Sequence, residues 1–187
     1  MYDSASRLAA AKLWLISRAT TPASGADAPR DLPYLAHALY ALDVVETTAV
    51  AGLSADVHWR VYANPIWVTE TEIPEIGREL AHLTWHLLMD HAGRARSMQV
   101  DPTTAEHWHR AAELTIHETL NPVGASPKPT TDDAVSAAIQ RTGRAGPNQS
   151  AEQYYAALSR LPATLPDQGP ERSEEHTSEL QSRSDLV

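Results

Sequence analysis

The sequence predicts an α+β domain that is mostly helical and carries one small β element. Apolar residues recur at helical spacing over much of the 187 residues. Strict alternation of apolar and polar residues, the pattern of a strand, occurs only around residues 57–63. Prolines and glycines separate these segments. The predicted order is therefore helix, helix, strand, helix, helix, loop, helix.

The N-terminal half is predicted to contain two helices and the strand. Residues 4–19 are rich in alanine and leucine and predict the first helix, with Ser4 as its cap. Residues 31–46 predict the second helix, on which we expect the lone His37 to be solvated. The β-branched and aromatic residues of 57–63 predict the strand, and the Asn-Pro pair that follows predicts its end.

Three further helices are predicted by capping residues, apolar periodicity and helix stops, at 73–92, 104–120 and 150–161. Pro74 lies in the first turn of the earliest of these, and Gly93 lies just past its end. Ser150 is the predicted cap of the last. Residues 121–149 are rich in Pro, Gly, Thr and Ser, and predict a loop with a short helix-like patch at 132–141.

The composition excludes several classes of protein. The chain has 15 basic and 24 acidic residues, a net charge of −9 and no basic stripe, which argues against a nucleic-acid partner. It has no cysteine, so any metal ion must bind to His, Asp or Glu. Charged residues interrupt the apolar N-terminus, and no uncharged apolar run approaches about 20 residues. We therefore expect no secretion signal, no membrane segment and a cytoplasmic location.

The C-terminal end carries a segment of a different kind. Residues 172–182, RSEEHTSELQS, resemble the direct translation of a common DNA-sequencing adapter. We therefore interpret residues 172–187 as an artefactual tail and residues 1–171 as the domain. Without the tail, 13 basic and 20 acidic residues remain, and the net charge is 13 − 20 = −7. On this interpretation we expect the natural protein to continue beyond the domain.

Deleting residues 172–187 is expected to change the free energy of unfolding by less than about 0.5 kcal/mol, the usual scale for surface changes away from packed features. Thermal unfolding of the full and the shortened chain measures the difference. A larger loss would mean that the tail packs on the domain, and the adapter interpretation would then be wrong.

Two histidines in the stretch HLTWHLLMDH, residues 82–91, stand at the spacing of a zinc-binding helix. A helix advances about 100° per residue, so His86 lies about 40° from His82 and one turn further along. Two imidazoles on one helical face suit a tetrahedral zinc ion. A third ligand must come from elsewhere in the chain.

Two residues are candidates for that third ligand. On the next predicted helix, Glu113 follows His86 by 27 residues, which is enough for a turn and an antiparallel return. His91 is the alternative, but on a continuous helix it lies about 180° from His82, so the helix would have to break before it. We expect His109 and His117, which share a face with Glu113, to orient the ligands from behind or to be polar neighbours of the site.

Taken together, these segments resemble the metallopeptidase-like domain of bacterial proteins that carry a von Willebrand A-like domain after it. The resemblance covers most of residues 5–160, and its ordered segments are more specific than any one motif. The matching residues are the segment 58–68, the three histidines 82, 86 and 91, the run Trp108, Ala111, Glu113, Ile116 and His117, and SAEQYYAAL.

The resemblance implies a zincin-like, HExxH-type fold in which His82, His86 and either His91 or Glu113 bind zinc. It also implies a von Willebrand A-like region and an AAA-type ATPase as partners. The chain departs from the family pattern at Leu83, where the catalytic Glu is expected, and at Glu113, where the pattern has Asp. His109 and His117 replace two Asn.

The missing glutamate leaves three functions open. A zinc-binding domain that hydrolyses poorly is the first, because loss of a general base typically costs about 10²–10⁴ in rate. An active zinc peptidase with a displaced base is the second, and Glu79, on the same face one turn before His82, is the candidate for that base. A non-catalytic interaction domain is the third. Metal content and turnover distinguish them.

Overall fold

Helices dominate the structure, a computed structural model that describes residues 3–17, 32–125 and 148–160. The described helices are α1 (Ser4–Ile16), α2 (Ala36–Ala41), α3 (Pro65–Glu70), α4 (Ile73–Leu88), α5 (His91–Ser97), α6 (Ala105–Leu120) and α7 (Ala151–Leu158). Short 3-10 turns occupy Pro33–Leu35 and Asn121–Val123, and the strands are β1 (Asp43–Glu46), β2 (Leu53–Ala55) and β3 (Arg60–Ala63). The predicted α+β class with mostly helical content is confirmed. Among the helices described, none is long and apolar enough to cross a membrane.

The predicted second helix, 31–46, is wrong in its second half. The helix α2 ends at Ala41, and Asp43–Glu46 instead pairs in parallel with β3, residue for residue from Asp43 opposite Arg60. The β-branched pair Val44 and Val45 suits a strand, and pairing with a distant segment overrode the helical pattern of the leucines before it. The sheet order is β1-β3-β2, with β2 antiparallel to β3.

The predicted strand begins later than expected, at Arg60. Trp59 adopts a left-handed conformation with φ of 65°, so the extended backbone predicted from residue 57 starts only after it. The buried carboxylate of Asp56 organises this turn by accepting hydrogen bonds from the backbone N–H groups of His58 and Arg60, at 2.9 and 3.1 Å. Asn64 follows the strand, as predicted, and its side chain also caps the next helix, α3.

Other boundaries differ in detail. Asp3, not Ser4, caps α1, since its carboxylate accepts the N–H of Ser6. The cap of α7 is Ser150 as predicted, in a reciprocal capping box with Gln153. The predicted loop at 20–31, the patch at 132–141 and the tail at 172–187 lie outside the described residues.

The main core lies between α1, α4, the sheet and the end of α6. Leu8, Leu15, Leu80 and Ile116 are among its buried members. The helices α1 and α4 approach so closely at Gly77 that a Cβ atom there would stand 2.5 Å from the Trp14 ring. This packing fixes the face of α4 that is left to meet α6.

Two polar contacts secure α7 at the other end of the domain. The guanidinium of Arg94 on α5 donates to both carboxylate oxygens of Glu152, each at 2.6 Å. The hydroxyl of Tyr154 donates to Glu118 Oε1 on α6 at 2.6 Å. The helix α7 therefore bridges α5 and α6, the two elements that follow the histidine helix.

Candidate metal centre

The helix α4 brings the first two predicted ligands together. The Nε2 atoms of His82 and His86 lie 2.9 Å apart on one face of the helix. Leu80, Leu83 and Leu87 are buried in the main core, with Leu80 and Leu87 on the far side of the helix and Leu83 beside the histidine face. The histidine pair is therefore held by a helix whose rotation is fixed by packing.

Glu113 on α6 reaches the same point. Its Oε1 lies 3.2 Å from His82 Nε2 and 3.0 Å from His86 Nε2. The side chain of His86 is 8% exposed and that of Glu113 is 17% exposed, so the cluster is largely removed from water. Within the described ranges, His82, His86 and Glu113 are the one group of three His, Cys, Asp or Glu residues arranged to hold a metal ion.

Burial and close contacts shift the pKa values of two of these groups. Burial raises the pKa of Glu113, but its close contacts with His82 and His86 outweigh burial and bring the pKa well below its usual range, so the carboxylate is ionised. Burial lowers the pKa of His86, although its close contact with Glu113 opposes the shift. An ionised carboxylate, and an imidazole nitrogen that carries no proton, can each offer a lone pair to a cation.

The spacing of the three atoms fits a small divalent ion. Ligands bound to zinc at about 2.0–2.1 Å in tetrahedral geometry stand roughly 3.3 Å apart. The observed separations of 2.9, 3.0 and 3.2 Å are slightly tighter. Two imidazoles and one carboxylate, with no cysteine, form the donor set of many catalytic zinc sites.

A break in the helix brings His91 close to His86, a position that it could not take on a continuous helix. The expected continuous helix 73–92 is wrong, because α4 ends at Leu88 and Asp90 takes a left-handed conformation with φ of 47°. The carboxylate of Asp90 then caps α5 by accepting the N–H of Gly93. Aspartate tolerates this conformation better than most residues and is a favoured cap, which is the signal that the sequence offered.

The break places His91 behind His86, away from the point where the three ligands meet. His91 is 3% exposed, and its Nδ1 lies 3.1 Å from Nδ1 of His86. Its Nε2 faces Thr115 Oγ1 at 3.4 Å. Burial, then the neighbouring His86 and Arg94, lower the pKa of His91 to about 3, so the ring is neutral. Sequence reasoning missed Thr115, because its contact depends on this break.

The two histidines on α6 lie at the margin of the cluster. His109 Nδ1 stands 3.8 Å from Glu113 Oε1, and its side chain is 69% exposed. His117 is half-buried one turn beyond Glu113. The contact between His109 and Glu113 is therefore longer than a hydrogen bond.

The two positions that bear on a general base differ in their surroundings. Leu83 is 8% exposed and packs in the main core. Glu79 is half-buried one turn before His82. Burial raises the pKa of Glu79, His82 lowers it and Glu113 raises it further, so this carboxyl senses the charge of the cluster.

Comparison with known proteins finds one family. The family model described as "putative metallopeptidase domain" matches residues 17–185. The matched range includes most of the segment 172–187. No curated protein and no solved structure matches the chain.

Proposed function

This chain belongs to the family of putative metallopeptidase domains, and on that premise we propose that it is a zincin-like domain that binds one zinc ion but hydrolyses peptides poorly. His82, His86 and Glu113 are the proposed ligands. The observation that carries the proposal is the meeting of His82 Nε2, His86 Nε2 and Glu113 Oε1 within 3.2 Å of one another in a largely buried position.

The charge of the site supports a divalent cation. In the forms that bind a metal, two neutral imidazoles and one ionised carboxylate bring a net charge of about −1 into a region that is mostly shielded from water, where an unbalanced charge is costly. Nitrogen and oxygen ligands in a near-tetrahedral arrangement favour zinc over magnesium or calcium, which prefer six or more oxygens.

Purified protein is expected to contain about one zinc ion per chain. The ion should survive gel filtration, leave on treatment with a strong chelator, and return on titration with zinc. Elemental analysis by mass spectrometry before and after each step measures this content. Protein that is folded but takes up no zinc, cobalt or manganese would contradict the proposed ligand set.

Weak hydrolysis follows from the side chain at position 83. A bound zinc ion would polarise a peptide carbonyl and activate water for attack. A base must still remove the proton from that water and return it to the leaving amine. The hydrocarbon side chain of Leu83 cannot carry a proton. The position at which the family pattern has a catalytic glutamate therefore holds no general base for this proton transfer.

Glu79 supports a second candidate function, an active peptidase with a displaced base. Its carboxyl is half-buried, on the ligand face of α4, and its pKa is raised by burial. A raised pKa brings a carboxyl closer to the value that suits a general base near neutral pH. Peptide hydrolysis by the wild-type protein that is lost in Glu79→Gln, with zinc content unchanged, would establish this second function.

The proposed partners are a von Willebrand A-like region and an AAA-type ATPase. Their support is the family resemblance of the sequence, and the acidic charge and absence of a basic stripe favour protein over nucleic acid as the partner class. A cytoplasmic location is proposed as well, from the charged residues in the N-terminal sequence and the short apolar runs of the chain. Co-purification of the domain with these two proteins from the source cell tests the assignment.

A further inference from the structure

We propose that His91 and Thr115 are positioning residues that set the proton pattern of the metal centre through one directed chain of hydrogen bonds. The chain runs from His86 to His91, from His91 to Thr115, and ends on the backbone carbonyl of Ala112. It requires His86 to carry its proton on Nδ1, which leaves the Nε2 lone pair free. The inference rests on the proposed function only in taking Nε2 of His86 as a metal ligand.

The fixed end of the chain is the hydroxyl of Thr115. This hydroxyl donates to the carbonyl oxygen of Ala112 at 2.7 Å. A hydroxyl has a single hydrogen, so in this arrangement Thr115 Oγ1 acts toward His91 as an acceptor. The contact between His91 Nε2 and Thr115 Oγ1, at 3.4 Å, is then an N–H donated by the ring, and it is the weakest of the three bonds.

The ring of His91 links the two hydrogen bonds and fixes which partner donates in each. His91 is 3% exposed and its ring nitrogens face a hydroxyl and a second imidazole, neither of which is a carboxylate that would balance a buried charge, so the ring is neutral and has one N–H. Placing that N–H on Nε2 leaves Nδ1 as an acceptor. That Nδ1 faces Nδ1 of His86 at 3.1 Å, so His86 must supply the hydrogen between them. Two protonated rings would bring two N–H groups against each other at this distance. The contact therefore excludes the doubly charged pair.

A proton on Nδ1 of His86 leaves Nε2, the other ring nitrogen, without one. With its proton on Nδ1, the lone pair of Nε2 points toward Glu113 Oε1 at 3.0 Å and His82 Nε2 at 2.9 Å. Nitrogen and carboxylate lone pairs at this distance repel each other unless a cation or a hydrogen from His82 lies between them. The hydrogen-bond chain thus prepares the centre for a metal ion before one arrives.

The experiment reads the tautomers in the metal-free protein. Long-range ¹H–¹⁵N NMR of the imidazole nitrogens near neutral pH distinguishes a proton on Nδ1 from one on Nε2. We expect Nδ1–H for His86 and Nε2–H for His91. Free imidazoles favour Nε2–H, so the expected state of His86 is one that a merely buried histidine would not adopt by default.

Three variants of α6 isolate the role of the hydroxyl. Thr115→Val keeps the branched shape but removes the acceptor, and we expect both rings to become tautomer mixtures and zinc affinity to fall by about 10–100-fold, the usual effect of losing a residue that holds a ligand. Thr115→Ser is expected to restore both. Thr119→Val, which removes a hydroxyl bonded to the Thr115 carbonyl, is the matched control and should change neither.

The outcomes separate this inference from the proposed function. An Nε2–H tautomer for His86 in the metal-free wild type would overturn the inference, even if zinc binds. Unchanged tautomers in Thr115→Val would overturn it as well. The expected tautomers in a wild type that takes up no metal would support the hydrogen-bond chain and refute the proposed zinc site.

Discussion

Glu113→Gln is expected to produce a folded protein that no longer retains zinc. The amide has nearly the shape of the carboxylate but lacks its charge, so the cation loses the negative ligand of the set. Residues that merely hydrogen-bond a ligand typically contribute 10–100-fold to affinity, and we expect the loss of a charged ligand to exceed that, at about 10³-fold or more. Titration against a chromophoric zinc chelator measures the change.

Two matched variants make this result specific. Glu106→Gln removes a carboxylate from the same helix, but Glu106 is exposed and pairs with Arg110, so zinc affinity should not change. His91→Ala should weaken binding less than Glu113→Ala does, because His91 contacts His86 and lies outside the ligand group. The opposite ranking of the two alanine variants would make His91 the third ligand and remove Glu113 from that role.

The second large effect is expected from Leu83→Glu, which should raise peptide hydrolysis per zinc-loaded molecule by about 10²–10⁴-fold, the usual contribution of a general base. Position 83 is about 100° around α4 from His82, beside the ligand face. From this flanking position, we expect a carboxylate to receive a proton from water at the site without displacing a ligand. Turnover of a broad peptide library, normalised to bound zinc, measures the gain.

The same substitution should weaken the fold. Leu83 is 8% exposed in the main core, and a buried polar group without a partner typically costs roughly 1–3 kcal/mol of unfolding free energy, and more if it is charged. A carboxylate in that place also has a raised pKa, because burial disfavours its charged form. Leu83→Gln imposes a similar packing loss without a base and is the control. Equal turnover in the Glu and Gln variants, both folded and loaded, would refute a peptidase that lacks only its base.

The sequence predicted the meeting of His82, His86 and Glu113 because the information is local to two helices. Four-residue spacing places the histidines on one face, and the distance along the chain to Glu113 permits an antiparallel return. The break at Asp90 was not predictable in the same way. Aspartate tolerates the left-handed conformation better than most residues but does not require it, so the local sequence leaves open whether the helix continues past this position. Val44 and Val45 show the same limit, since their strand partner is distant.

The helix break at Asp90 also bears on the order in which the residues of the metal centre come together during folding. The contact between His86 and His91 closes a segment of five residues, whereas Glu113 and Thr115 close segments of 24 to 31 residues with the histidines. Short closures are fast and cost less chain entropy, so we expect His86 and His91 to meet first. Glu113 and Thr115 are two residues apart on α6. We therefore expect the docking of that one helix to deliver the carboxylate and to complete the hydrogen-bond chain together, so that a change that slows docking delays both.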